Sequence, residues 1–96
     1  MEQLIFKDRV AQIKGNKKIT GTLEISSNFL IFRPLHSNEP TENEAIYRIV
    51  QTGYRKILQF IPNKFYIKTM SGKVLYFQTT KAKKLAQIIE KIIYFS

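Results

Sequence analysis

Apolar positions along this chain recur with a period of two until about residue 80 and with a helical period after it. The alternation is cleanest at residues 18–26. Ile19, Leu23 and Ile25 share one face with Gly21 between them, and Lys18, Thr20, Thr22, Glu24 and Ser26 take the other. That pattern predicts a half-buried antiparallel strand. Gly21 inside it suggests a bulge or sharp bend that lets a small sheet curl towards closure. Residues 64–70 and 73–79 are rich in aromatic and β-branched side chains around Ser71-Gly72, which predicts a β-hairpin. Beyond it, Leu85, Ile88, Ile89, Ile92 and Ile93 form one apolar helical stripe, with Thr79 or Thr80 placed to cap its start.

The rest of the chain reads as further short strands. Residues 9–14 form the first, with Leu4 to Phe6 as an apolar lead-in and Gly15-Asn16 as the turn after it. Ser27-Asn28 turns the chain into Phe29–Arg33, apolar on both faces and so expected to be a covered central strand ended by Pro34. Leu35 to Glu44 reads as a polar surface loop. Residues 45–50 suit a strand or a helix. Another strand is expected at Tyr54–Ile61 after Thr52-Gly53, followed by a turn at Pro62-Asn63. The sum is a mainly β fold of about six or seven antiparallel strands with one C-terminal helix, a small barrel or orthogonal sandwich whose open end the helix covers. No repeat or linker divides it, so residues 1–96 are expected to form a single domain.

Composition adds one strong fact. Sixteen Lys and Arg oppose seven Asp and Glu, a formal net charge of +9. Such a surface attracts phosphate on lipid headgroups or nucleic acid. There is no cysteine, which removes disulfides and thiolate metal sites. The first residues do not form a signal peptide, and the apolar runs are too short to span a membrane. A cytoplasmic location, at most peripheral to the inner face of a membrane, is therefore the expectation.

Two segments carry a family likeness. The run from Gly21 to Phe32 resembles the glycine–x–leucine, Thr/Ser, then hydrophobic–hydrophobic–Phe pattern of GRAM domains, a branch of the pleckstrin-homology-like superfold. Residues 61–77 look like the late hairpin of that family, where a Gly-Lys turn precedes an aromatic strand, and the terminal helix follows in its place. The likeness covers roughly residues 9 to 93. It implies a split β-barrel capped by the C-terminal helix. It also implies a non-catalytic adaptor that binds membranes, phosphoinositides or proteins.

Candidate chemistry follows from charge rather than catalysis. His36 stands alone in a polar loop, and Glu39, Glu42 and Glu44 read as solvated loop residues, so no metal, cofactor or enzymatic activity is expected. Lys14, Lys17 and Lys18 surround the first turn. Pleckstrin-homology-like lipid binders place basic residues at that turn and one on the adjoining strand, for which Arg33 is the analogue. Arg48, Arg55 and Lys56 form a second cluster, and Lys81, Lys83 and Lys84 a third in the first turn of the helix. The expected ligand site is thus Lys14, Lys17, Lys18, Arg33, Arg55 and Lys56, with an anionic membrane lipid as the first partner. A protein-interaction module is the alternative. A small basic barrel that stacks nucleic-acid bases on Tyr47, Tyr54, Tyr66 or Tyr76 ranks below both.

Overall fold

The computed structural model describes residues 3–36, 38–58 and 61–95, with side-chain positions for all of these except 56–58, 61, 62 and 95. Strands β1 (Leu4–Lys14), β2 (Lys17–Ser26), β3 (Phe29–Pro34), β4 (Glu42–Ala45), β5 (Ile49–Leu58), β6 (Ile61–Thr69) and β7 (Val74–Gln78) precede helix α1 (Ala82–Phe95). All strands belong to one antiparallel seven-stranded sheet in the order β4-β3-β2-β1-β7-β6-β5. β1 is the joint of that sheet. It pairs with β2 along nearly its whole length, but with β7 only from Ala11 to Ile13. No ladder joins the edge strands β4 and β5 among the described residues, so the barrel is split.

The two halves meet through their inner faces. Leu23, Ile25, Leu30 and Phe32 from one half and Phe65, Ile67 and Phe77 from the other are fully buried. The Phe77 ring lies 5.4 Å from Phe32 and 6.1 Å from Phe65, bridging the halves at the aromatic separations that favour tilted or offset packing. α1 lies against β5 and β6 and closes this core with Ala82, Leu85, Ala86 and Ile89. Ile88, Ile92 and Ile93 pack at its margin. Lys81 holds the cap position, its carbonyl accepting from the Leu85 N–H at 3.0 Å, while the Thr79 hydroxyl accepts from the Lys81 N–H at 3.2 Å. Thr79, not Thr80, is therefore the threonine whose hydroxyl bonds the backbone at the helix start.

Several elements differ from the sequence expectation. Leu4–Phe6 is not a lead-in but the first part of β1, with an irregularity in register between Leu4 and Phe6. Gly21 makes no bulge: β2 keeps regular register with β1 across it, and the ladder with β3 ends at its pair with Pro34. Its role is close approach, because a Cβ there would stand 2.5 Å from the Phe32 ring and from the Arg33 carbonyl oxygen. β3 is covered on one face only, with Leu30 and Phe32 buried but Phe29 40% exposed. The supposed loop to Glu44 contains the start of β4, which pairs with β3 from Glu42 onwards. Residues 46–48 form a single 3-10 turn, and β5 then runs unbroken through Thr52-Gly53. The 64–79 hairpin matches the expectation. Gly72 sits at φ 90° in its turn, where glycine is unstrained, and its N–H donates to the Thr69 carbonyl at 2.9 Å.

Candidate anion-binding surfaces

Strand parity decides where each basic side chain goes. Lys14 and Lys17 face each other across the β1–β2 turn on the inner side, at the mouth of the barrel. There they meet acids, although the Lys17 side chain stays 74% exposed and that of Lys14 38%. Lys14 Nζ lies 3.2 Å from Glu39 and 3.7 Å from Glu42, and Lys17 Nζ lies 3.5 Å from Glu39. Lys73, from the β6–β7 turn, completes the group at 2.8 Å from Glu42 and 3.4 Å from Glu44. Glu42 is only 8% exposed, so it and its neighbours are not the solvated loop acids that the sequence suggested.

These ion pairs tie the β1–β2 turn, the segment before β4 and the β6–β7 turn together. The Lys14 ammonium holds the Glu39 carboxyl below the usual carboxylate range, and the hydrogen bond to Glu42 raises Lys73 above the ordinary lysine value. A phosphate arriving at Lys14 and Lys17 would have to displace Glu39 and Glu42. Arg33 lies apart from the turn and pairs with Glu24 at 3.5 Å, which Lys7 also approaches at 3.9 Å. Lys81 pairs with Asp8 of β1 and lies 6.0 Å from the Phe6 ring, anchoring the helix start to the sheet. Of the expected ligand residues, the structure brings Lys14 and Lys17 together with carboxylates. Lys18 lines a depression with Lys17, His36 and Glu39 but has no ion pair among the described residues, Arg55 lies elsewhere, and the Lys56 side chain lies outside the described residues.

Lys18 has the opposite parity to Lys17 and faces outward. The ladders Ile13↔Lys18, Ile13↔Tyr76, Tyr66↔Tyr76 and Gly53↔Tyr66 place one row across the outer face of five strands. The neighbouring row runs Thr20, Ala11, Gln78, Lys64 and Arg55. Arg9 and Lys68 lie on the same face by alternation along β1 and β6. Arg9, Lys18, Thr20, Gln78, Thr79 and Thr80 line a shallow depression of about 330 Å³. No ion pair among the described residues engages Arg9, Lys18, Arg55, Lys64 or Lys68. The carboxylate on the outer side of β2 is Glu24, at the far end and already paired.

Aromatic rings stand among these cations. Tyr66 and Tyr76 lie 6.2 Å apart at 44°, and Lys64 Nζ sits 5.6 Å over the Tyr76 ring. Tyr76 is 37% exposed. Tyr66 covers Gly53, where a Cβ would meet ring atoms at 2.9 Å, and its hydroxyl accepts from Gln51 Nε2 at 3.2 Å. Arg9, Lys64 and Lys68 were not among the expected ligand residues. The signal lay in parity: Lys64, Tyr66 and Lys68 alternate with buried Phe65 and Ile67, as Tyr76 and Gln78 do with Leu75 and Phe77.

No protein-family model matches the sequence. No curated protein matches it either. Solved structures do. The C-terminal domain of an unknown protein from Leishmania infantum superposes with a TM-score of 0.79 at 16% identity, covering 99% of this chain and 86% of that one. Inner Membrane Complex Sub-compartment Protein 3 from Toxoplasma gondii gives 0.71 at 17% identity, over 92% of this chain and 74% of that one. The DH/PH fragment of PDZRhoGEF, solved in complex with human RhoA, gives 0.75 at 10% identity; the match covers 99% of this chain and 30% of that one. These likenesses establish a pleckstrin-homology-like fold, and at such identities they speak to the fold alone.

Proposed function

We propose that this chain is a non-catalytic, GRAM-type binding module whose partner presents phosphate groups to the outer face of the sheet. The observation that carries the reading is the division of charge. The acids Glu39, Glu42 and Glu44 gather at the barrel mouth, while Arg9, Lys18, Arg55, Lys64 and Lys68 share a face on which no carboxylate pairs with them among the described residues. Cations spread over a face bind a multivalent anion far better than one exposed lysine binds one phosphate. Lipid headgroups and nucleic-acid backbones share this chemistry. A membrane would gain about 1 kcal/mol for each basic residue near its surface, giving weak and salt-sensitive attachment. No helix among the described residues is long and apolar enough to cross a membrane.

Retention on phosphocellulose, followed by co-sedimentation with neutral and phosphatidylserine-containing vesicles, tests this directly. The wild-type chain should elute at higher salt than a variant carrying Arg9→Glu, Lys18→Glu and Lys68→Glu. Lys14→Glu with Lys17→Glu should shift elution less for each charge reversed. Passage through the matrix at low salt would refute the reading. A protein partner is the second reading, supported by the neighbour solved with RhoA and by the exposed Tyr47, Val50 and Tyr94 around the end of α1. Val50, Ile93 and Tyr94 line one depression there.

A further inference from the structure

We propose that the outer sheet face binds single-stranded nucleic acid, with bases stacking on Tyr76 and Tyr66 and the backbone held by Arg9, Lys18, Lys64 and Lys68. This rests on the phosphate-binding reading above and deepens it by naming the ligand class.

Gly53 makes room for the first ring. Because it has no side chain, Tyr66 can lie over the backbone of β5, and Gln51 fixes the ring by its hydroxyl. Tyr66 so pinned stays partly exposed on the outer face. Tyr76 stands beside it on β7, 6.2 Å away and partly exposed. Two adjacent rings on the outer face, inclined to each other by 44°, give planar bases two places to stack. Lys64 Nζ, 5.6 Å from the Tyr76 centroid, would leave that ring face to a stacking base and meet the backbone that follows it.

The surrounding groups have matching chemistry. Arg9 and Lys18 line the depression on the β1–β2 side, and Lys68 extends the positive track along β6. Thr20, Gln51 and Gln78 supply donors and acceptors for base edges. Four strand spacings of about 4.8 Å give a track roughly 19 Å wide, which suits the short end of the roughly 4–16 nucleotides that a single barrel holds. A duplex keeps its base faces stacked on one another, so only a single strand can use both rings.

The test is fluorescence anisotropy of an end-labelled oligothymidine of about 12 nucleotides, titrated with the full chain at low salt. Parallel titrations use an abasic oligomer of equal length, a duplex of equal length, and phosphatidylserine-containing vesicles. The single strand should bind about tenfold tighter than the abasic oligomer. Tyr76→Ala should sharply reduce that advantage and Tyr76→Phe should keep it. Because Tyr66 also packs on Gly53, its Ala and Phe variants are read only beside thermal melts matching the wild type. Arg9→Gln with Lys18→Gln should weaken both oligomers alike and flatten the salt dependence. Equal affinity for base-bearing and abasic oligomers overturns the inference but leaves the phosphate reading intact. Binding to vesicles alone also overturns it, in favour of a lipid. Binding to none of the probes overturns both.

Discussion

At the scale of single residues, Gly21 and Glu42 show how a position can matter for a reason its local pattern hides. Gly21 is required by the Phe32 ring across the sheet, not by any bend of its own strand. Gly21→Val should therefore destabilise the fold by about 1–3 kcal/mol, the usual cost of forcing extra atoms into a packed core. A lower urea midpoint at unchanged m-value would bear this out; an unchanged midpoint would mean that the Phe32 ring and the Arg33 backbone both yield freely. Glu42 looked like a loop acid because its neighbours are polar and Pro40 is near. Its partners Lys14 and Lys73 lie 28 and 31 residues away in sequence, which no local period can reveal.

Among the elements, what could be read in advance was what depends on near neighbours. The 64–79 hairpin and α1 follow from alternation, a glycine turn and a helical stripe, and they stand where those signals put them. Residues 45–50 gave no single answer, because the 3-10 turn at Ile46–Arg48 buries only Ile46 and is held by long-range bonds. The Asn28 carbonyl accepts from the Ile46 N–H, and the Arg48 carbonyl accepts from the Met70 N–H, each at 2.8 Å. The helix also gains an electrostatic tie that charge counting placed elsewhere. Lys81 faces Asp8, whose carboxyl is held below its ordinary range by that hydrogen bond.

A depressed carboxylate contributes stability above its unfolded pKa, and the contribution is lost as pH falls through the lower folded value. Asp8 and Glu39 should thus lower the melting temperature as pH drops below about 4. Thermal melts across that range should show a shallower acid slope for Asp8→Asn with Glu39→Gln; an unaltered slope would contradict these pairings. Lys73 works in the other direction, since its raised value means that its contribution disappears only above about pH 10.4.

For the molecule as a whole, the net charge of +9 is less telling than its sorting. Total charge and the split-barrel fold were both legible from composition, period and family likeness. The binding face was not. Lys18, Tyr76 and Tyr66 come together only because β1 joins β2 to β7 through Ile13, a register that links residues almost 60 positions apart. The likeness to lipid binders drew attention to Lys14 and Lys17, yet parity turns these two inward onto Glu39 and Glu42 and sends Lys18 outward.

The most direct measurement is a map of amide chemical-shift changes during titration of the labelled chain with a single-stranded oligonucleotide at low salt. The account predicts changes concentrated at Arg9 to Ile13, Lys18 to Thr20, Lys64 to Lys68 and Tyr76 to Gln78, with small effects at Lys14, Lys17 and the β3–β4 connection. Changes centred on the β1–β2 turn and Glu39, with the outer face silent, would contradict it.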